Sequence, residues 1–162
     1  MTTMRGLVQR VEQASVVVRA ADASGALTQE TTGSIGHGLC VLGGAGKDDD
    51  EAAARKLADK VWNLRVLADA AGAMNLSLAD RCAAGDPAEV LVVSQFTLYG
   101  DTRKGRRPSF VDAAPPELAE SLVEVVVDRL RDLGATVGTG RFRTDMAVSL
   151  VNDGPVTLLL EV

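Results

Sequence analysis

Near the C-terminus an apolar stretch is interrupted by Asn152-Asp153-Gly154-Pro155-Val156-Thr157, and the proline limits what this part of the chain can become. Met146 to Val151 precede it and Leu158 to Val162 follow, so strand character is expected on both sides. Proline has no N–H to give to a ladder and is confined to edges, bulges or special turns. A glycine before it tolerates backbone angles that other residues avoid, and an X-Pro bond is the one kind in which a cis peptide costs little. Asn-Asp-Gly between apolar runs predicts a hairpin turn joining two strands.

Further upstream, Leu7 to Val11 and Ala14 to Arg19 read as strands, the second carrying β-branched Val16-Val17-Val18. Residues 20–34 are small and polar and read as a loop or hairpin tip. Gly38 to Leu42 is a short apolar strand running into Gly43-Gly44. Asp48-Asp49-Asp50-Glu51 places negative charge where a helix dipole favours it. Leu57, Val61, Leu64 and Ala68 keep helical spacing, which predicts a helix from about Asp49 to Ala68. Val90 to Val93 is an apolar run of strand length. Pro115-Pro116-Glu117 opens a second helix, continued by Leu118, Leu122, Arg129 and Leu133 and stopped by Gly134. Strands, helix, strand, helix, strands is too irregular an order for a doubly wound sheet. It predicts an α+β fold, a curved mixed β-sheet or partial barrel with two packed helices, in a single domain over residues 1–162.

The core has to be built from Val, Leu and Ala, because 46% of the residues are hydrophobic but only 3% aromatic. No apolar stretch reaches the ~18 residues of a membrane span. The start, MTTMRGLVQRVEQ, has no signal-peptide core, so a cytoplasmic protein is expected. Cys40 and Cys82 make no disulfide framework, and Cys40 reads as an inert core thiol. A net charge of −5 argues against broad coating of nucleic acid but leaves room for a local basic site. Arg103-Lys104-Gly105-Arg106-Arg107 reads either as a solvated loop or as a patch that contacts phosphate.

Several chemistries are excluded by residue type. His37 is the only histidine and the cysteines lack CxxC spacing, so no metal site and no cofactor are expected. Gly43-Gly44-Ala45-Gly46-Lys47 lacks the full spacing of a phosphate loop and reads as a turn into the helix. His37, between two glycines, reads as an exposed loop histidine, with a general base as the sharper alternative. Ser94 and Thr97 carry hydroxyls, but a hydroxyl is a weak nucleophile without a base, and no sequence neighbour supplies one.

Ser94-Gln95-Phe96-Thr97 taken together with Asn152-x-Gly154-Pro155-x-Thr157 resembles the D-aminoacyl-tRNA deacylases. Gln9-Arg10-Val11, Met74-Asn75-Leu76, Arg107-Pro108-Ser109-Phe110 and Thr139-Gly140-Arg141-Phe142 extend the similarity over nearly the whole chain in order. A longer tip between Arg19 and Gly33 is the one departure, and it is expected to leave the site intact. The resemblance implies a homodimer that hydrolyses the ester joining a D-amino acid, or glycine mischarged on tRNA-Ala, to the acceptor end of tRNA. It implies that Gly154-Pro155 is cis and enters the other subunit's pocket, where its carbonyl oxygens exclude L side chains. Selectivity of that kind comes from what is blocked. Arg10 is expected to hold the Gly-Pro element through backbone contacts, with Phe96, Thr157 and Met146 also on the substrate. Ser94, Gln95 and Thr97 are the expected catalytic residues, their backbone N–H groups binding the carbonyl end. Phe96 either stacks on the terminal adenosine or packs into the core. Two mechanisms stay open: attack by Thr97, or water activated with help from the 2′-hydroxyl of the ribose. The alternative function is a non-catalytic nucleic-acid-binding module on the same scaffold.

Overall fold

The structure is a computed structural model and describes residues 3–162. Its strands are β1 (Arg5–Ala21), β2 (Leu27–Ile35), β3 (Gly38–Gly44), β4 (Leu67–Ala68), β5 (Met74–Leu76), β6 (Glu89–Ser94), β7 (Thr136–Thr139) and β8 (Asp145–Glu161). Its helices are α1 (Glu51–Asn63), α2 (Leu78–Ala83) and α3 (Pro116–Leu133), with one 3-10 turn at Phe96–Tyr99. The main sheet runs β2-β1-β3-β6-β7, and β8 pairs with β1 off that path. The β3–β6 and β6–β7 pairs are parallel, whereas β1 is antiparallel to β2, β3 and β8.

The apolar run Val90 to Val93 is unbroken because both faces of β6 are buried. Val90 and Val92 join Leu39 and Val41 of β3 under α1 and α3, while Leu91 and Val93 face a second cluster with Val11, Ala14, Val16 and Cys40. Continuous apolar strands of this kind belong to parallel pairs covered on both sides. The second cluster forms as the sheet curls towards a barrel. At the seam, a Cβ on Gly33 of β2 would lie 2.7 Å from the backbone oxygen of Thr139 in β7, so only glycine permits the closure. Burial pushes the Cys40 thiol up to about 11, as suits an inert core residue. No described helix is long and apolar enough to cross a membrane.

α3 follows the expected bounds and ends at Gly134 with φ 116°. α1 is capped by the Asp50 side chain, which accepts from the Ala53 N–H at 2.9 Å. It stops five residues short of the expected end at Ala68. The Val66 carbonyl accepts from Arg10 at 2.7 Å and Leu67 pairs with Leu76, so this segment is held extended by partners outside the helix. A third, short helix was not expected. Ser77 and Asp80 open α2 with a reciprocal capping box, Asp80 N–H to Ser77 Oγ at 3.1 Å and Ser77 N–H to Asp80 Oδ2 at 2.8 Å. Ser77→Ala is expected to lower stability by about 1 kcal/mol, read as a shift in the urea unfolding midpoint.

Two expectations about strands also change. The two N-terminal strands are one, β1, and residues 20–34 are largely strand, closed by a turn that the Asp22 side chain organises. The expected hairpin at Asn152-Asp153-Gly154 is absent: β8 passes through it without reversing. Its partners on β1 show why. Gln9 pairs with Thr157 and Val11 with Asn152, so two steps along β1 face five along β8. The surplus residues leave the ladder as a bulge opposite Arg10.

Candidate functional site

The residues singled out by sequence fall into two groups. The first surrounds the end of β6. Gln95 donates its backbone N–H to the Gly43 carbonyl at 2.7 Å, which holds the chain as it leaves β6 for the 3-10 turn. No side chain caps that turn, so its first N–H groups, on Phe96 and Thr97, have no side-chain capping partner. Beside them lies a cavity of about 620 Å³ lined by Val93, Gln95, Phe96, Phe110, Phe142 and Met146. Ser94 and Met146 reach both this cavity and a neighbouring one of about 410 Å³.

Phe96 is 53% exposed and meets Phe110 edge-on, with ring centroids 5.1 Å apart. It is not a core residue, which disposes of one of its two readings. The Gln95 carboxamide donates to Thr97 Oγ1. Among the described residues no carboxylate or imidazole is hydrogen-bonded to Thr97, so none of these is placed to deprotonate it.

The second group sits on the β8 bulge. Gly154 and Pro155 are exposed, and the bond between them is cis. The base of the bulge is pinned. Buried Arg10 donates from Nε to the Asp153 carbonyl at 3.2 Å and pairs with Asp153 Oδ2 at 3.0 Å, while its Nη1 reaches the Val66 carbonyl. Asn152 Nδ2 ties the two feet, donating to the Arg10 carbonyl at 2.9 Å and the Val156 carbonyl at 3.1 Å. Thr157 Oγ1 accepts from Gln9 at 3.2 Å. The tip therefore projects from a rigid footing.

One chain does not bring the two groups together. Met146 at the cavity and Gly154 on the bulge lie eight positions apart along β8, at most roughly 26 Å at ~3.3 Å per residue. The outer edge of β8 has no strand partner among the described residues, and Val151, Leu158 and Leu159 near the bulge are 42%, 40% and 53% exposed.

The basic loop lies beside Phe110. Asp101 and Ser109 pair across its base, and Arg103 folds back on Asp101 at 2.7 Å, holding that carboxyl down at about 2. Lys104, Arg106 and Arg107 are exposed and make no ion pair among the described residues. No group of three or more His, Cys, Asp or Glu able to hold a metal occurs among the described residues.

Sequence reasoning missed one contact. His37 Nε2 lies 3.4 Å from Asp153 Oδ2, and its Nδ1 lies 3.1 Å from Arg81 Nη1. Nothing within a few residues of His37 signals this, because the partners are 116 and 44 positions away.

The chain is thus a curled α+β sheet with a cis-proline bulge and a separate cavity, and its relatives identify its family. The family model described as D-Tyr-tRNA(Tyr) deacylase matches residues 7–161. The chain belongs to that family. A D-aminoacyl-tRNA deacylase from Roseiflexus sp. (strain RS-1) is 56% identical, covering 98% of this chain and 93% of that protein. One from Streptomyces avermitilis is 53% identical, covering 98% of this chain and 99% of that one. Among solved structures, one described as c-Myc DNA Unwinding Element Binding Protein is 36% identical, covers 98% of both chains and superimposes with a TM-score of 0.80. Another, described as a probable eukaryotic D-amino acid tRNA deacylase, has a TM-score of 0.75 at 16% identity, covering 99% of this chain and 100% of that one, and so speaks to the fold alone.

Proposed function

We propose that this protein hydrolyses the ester between a D-amino acid and the terminal ribose of tRNA, as a cytoplasmic homodimer of a single 1–162 domain. Water adds to the ester carbonyl carbon, the bond to the ribose 3′ oxygen breaks, and that oxygen leaves with a proton. The observation that carries the reading is the separation of the exposed Gly154-Pro155 bulge from the cavity lined by Ser94, Gln95 and Phe96 on one chain. A second copy docked through the open edge of β8 supplies the missing half to each site. The exposed apolar residues on that strand support such a contact.

In the assembled site, backbone N–H groups of Phe96 and Thr97 bind the carbonyl oxygen, where preorganised donors stabilise the oxyanion. Gly154-Pro155 of the second copy forms a wall against the substrate Cα. An L side chain strikes it and a D side chain points away. Glycine has nothing to reject, so glycine mischarged on tRNA-Ala is a substrate too. The terminal adenosine lies in the cavity against exposed Phe96 and near Met146. Phe96→Ala is expected to weaken tRNA binding about tenfold, in line with ~1–3 kcal/mol for a base on an aromatic ring. A filter-binding titration with D-Tyr-tRNA reads this directly.

The 2′-hydroxyl of the ribose assists the attacking water. Thr97 receives a hydrogen bond from Gln95 and has no base bonded to it among the described residues, so it serves as a donor. Thr97→Ala is then expected to slow single-turnover release only about 10–100-fold; a loss of ~10⁴ or more with binding intact would instead make Thr97 the nucleophile. A second reading, a non-catalytic nucleic-acid-binding module, is favoured by the neighbour described as a DNA unwinding element binding protein and by the unpaired Lys104, Arg106 and Arg107. Release of free D-tyrosine from D-Tyr-tRNA by the dimer separates the two readings.

A further inference from the structure

We propose that His37 is a positioning residue for the Gly154-Pro155 wall, acting as a neutral imidazole between Arg81 and Asp153. The role rests on the function proposed above. A guanidinium only donates, so Arg81 Nη1 at 3.1 Å requires His37 Nδ1 to be an acceptor. A neutral ring with Nδ1 bare carries its proton on Nε2, the atom facing Asp153 Oδ2 at 3.4 Å. Asp153 Oδ2 is therefore held from two sides, by the ion pair with Arg10 Nε from β1 at 3.0 Å and by the His37 Nε2 proton from the β2–β3 turn. Asp153 is covalently next to Gly154, so fixing its carboxylate from two directions fixes where the wall begins.

The local sequence is built for this placement. His37 lies in the two-residue link between β2 and β3. A Cβ on Gly38 would lie 2.2 Å from the Glu89 carbonyl oxygen, so glycine alone lets the link pack on β6. Gly36 N–H donates to Glu89 Oε2 at 3.2 Å and anchors the other side of the histidine. Arg81 comes from the last turn of α2 and also reaches the His37 carbonyl, at 3.4 Å. A side chain that looked like a loop residue thus joins α2, the β2–β3 link and the β8 bulge.

Two measurements test it. His37 is the only histidine, so a 15N-edited spectrum of the imidazole reads this residue alone. The Nε2–H tautomer is expected in the parent and is lost in Arg81→Met. A predominant Nδ1–H tautomer, or a spectrum that Arg81→Met leaves unchanged, overturns the arrangement. The second measurement is the ratio of release from D-Tyr-tRNA to release from L-Tyr-tRNA. His37→Leu is expected to lower it about tenfold, the worth of one hydrogen bond to a charged group. His37→Gln is expected to hold it within about threefold, because its amide can accept from Arg81 and donate to Asp153 as the neutral ring does. An unchanged ratio in His37→Leu, with a parent that discriminates, overturns the positioning role. A parent that releases D- and L-tyrosine alike overturns the wall itself, whatever the imidazole spectrum shows.

Discussion

Replacing the 2′-hydroxyl of the terminal adenosine with hydrogen is expected to slow release of D-tyrosine about 10³-fold, within the range that a positioned acid–base group contributes. The reason lies in what surrounds Thr97. Its hydroxyl oxygen accepts from the Gln95 carboxamide, and no basic group among the described residues is bonded to it. The chain's one imidazole is engaged with Asp153 and Arg81. If the protein supplies no base, the substrate must, and the hydroxyl next to the ester is the nearest. Single-turnover rates on the deoxy and normal substrates, at enzyme concentrations well above Kd, separate chemistry from binding. A deoxy substrate cleaved at the normal rate would return the reaction to a residue of the protein.

Arg10→Ala is expected to have the second large effect, and on two quantities. The side chain is buried and serves the Asp153 carbonyl, the Asp153 carboxylate and the Val66 carbonyl at once. Removing it leaves the two carbonyls without their donor and the carboxylate without its cation, at a cost of about 3 kcal/mol in urea unfolding. It also frees the foot of the bulge, so the D-to-L ratio is expected to fall about 10²-fold, equivalent to roughly 2.7 kcal/mol. Arg10→Lys keeps the charge but not the fork, and is expected to recover stability better than selectivity. Loss of stability with the ratio intact would show that the footing of the bulge does not set the wall.

Much of the fold was legible where local pattern and tertiary contact agree. α3 begins at a Pro-Pro-Glu signal and ends at a glycine, and both ends fall where the sequence puts them. The doubly covered β6 shows as an unbroken apolar run. The errors occur where a distant partner overrides local pattern. Helical spacing runs on to Ala68, yet Arg10 and Leu76 draw residues 66–67 into extended backbone. Asn-Asp-Gly spells a hairpin, but β1 continues beneath it and turns the surplus residues into a bulge. α2 was overlooked although Ser77-x-x-Asp80 is a capping signal, because the helix is too short to show periodicity.

The site was legible to the same extent. The resemblance named the two motifs, and the structure has Ser94, Gln95, Phe96 and Met146 around one cavity, Thr97 next to them in the 3-10 turn, and Arg10, Gly154, Pro155 and Thr157 around one bulge. Sequence alone could not show that these lie apart on one chain, because distance along β8 matters only once its straight course past Pro155 is known. Nor could it show His37 beside Asp153, since that contact depends on how the β2–β3 link packs against β8.

The most direct test of the account is the rate at which the intact protein releases tyrosine from D-Tyr-tRNA and from L-Tyr-tRNA under single-turnover conditions. The account predicts rapid release of D-tyrosine with L-Tyr-tRNA spared by at least about 10²-fold, a difference of roughly 2.7 kcal/mol. Release of neither, or of both at one rate, would contradict it.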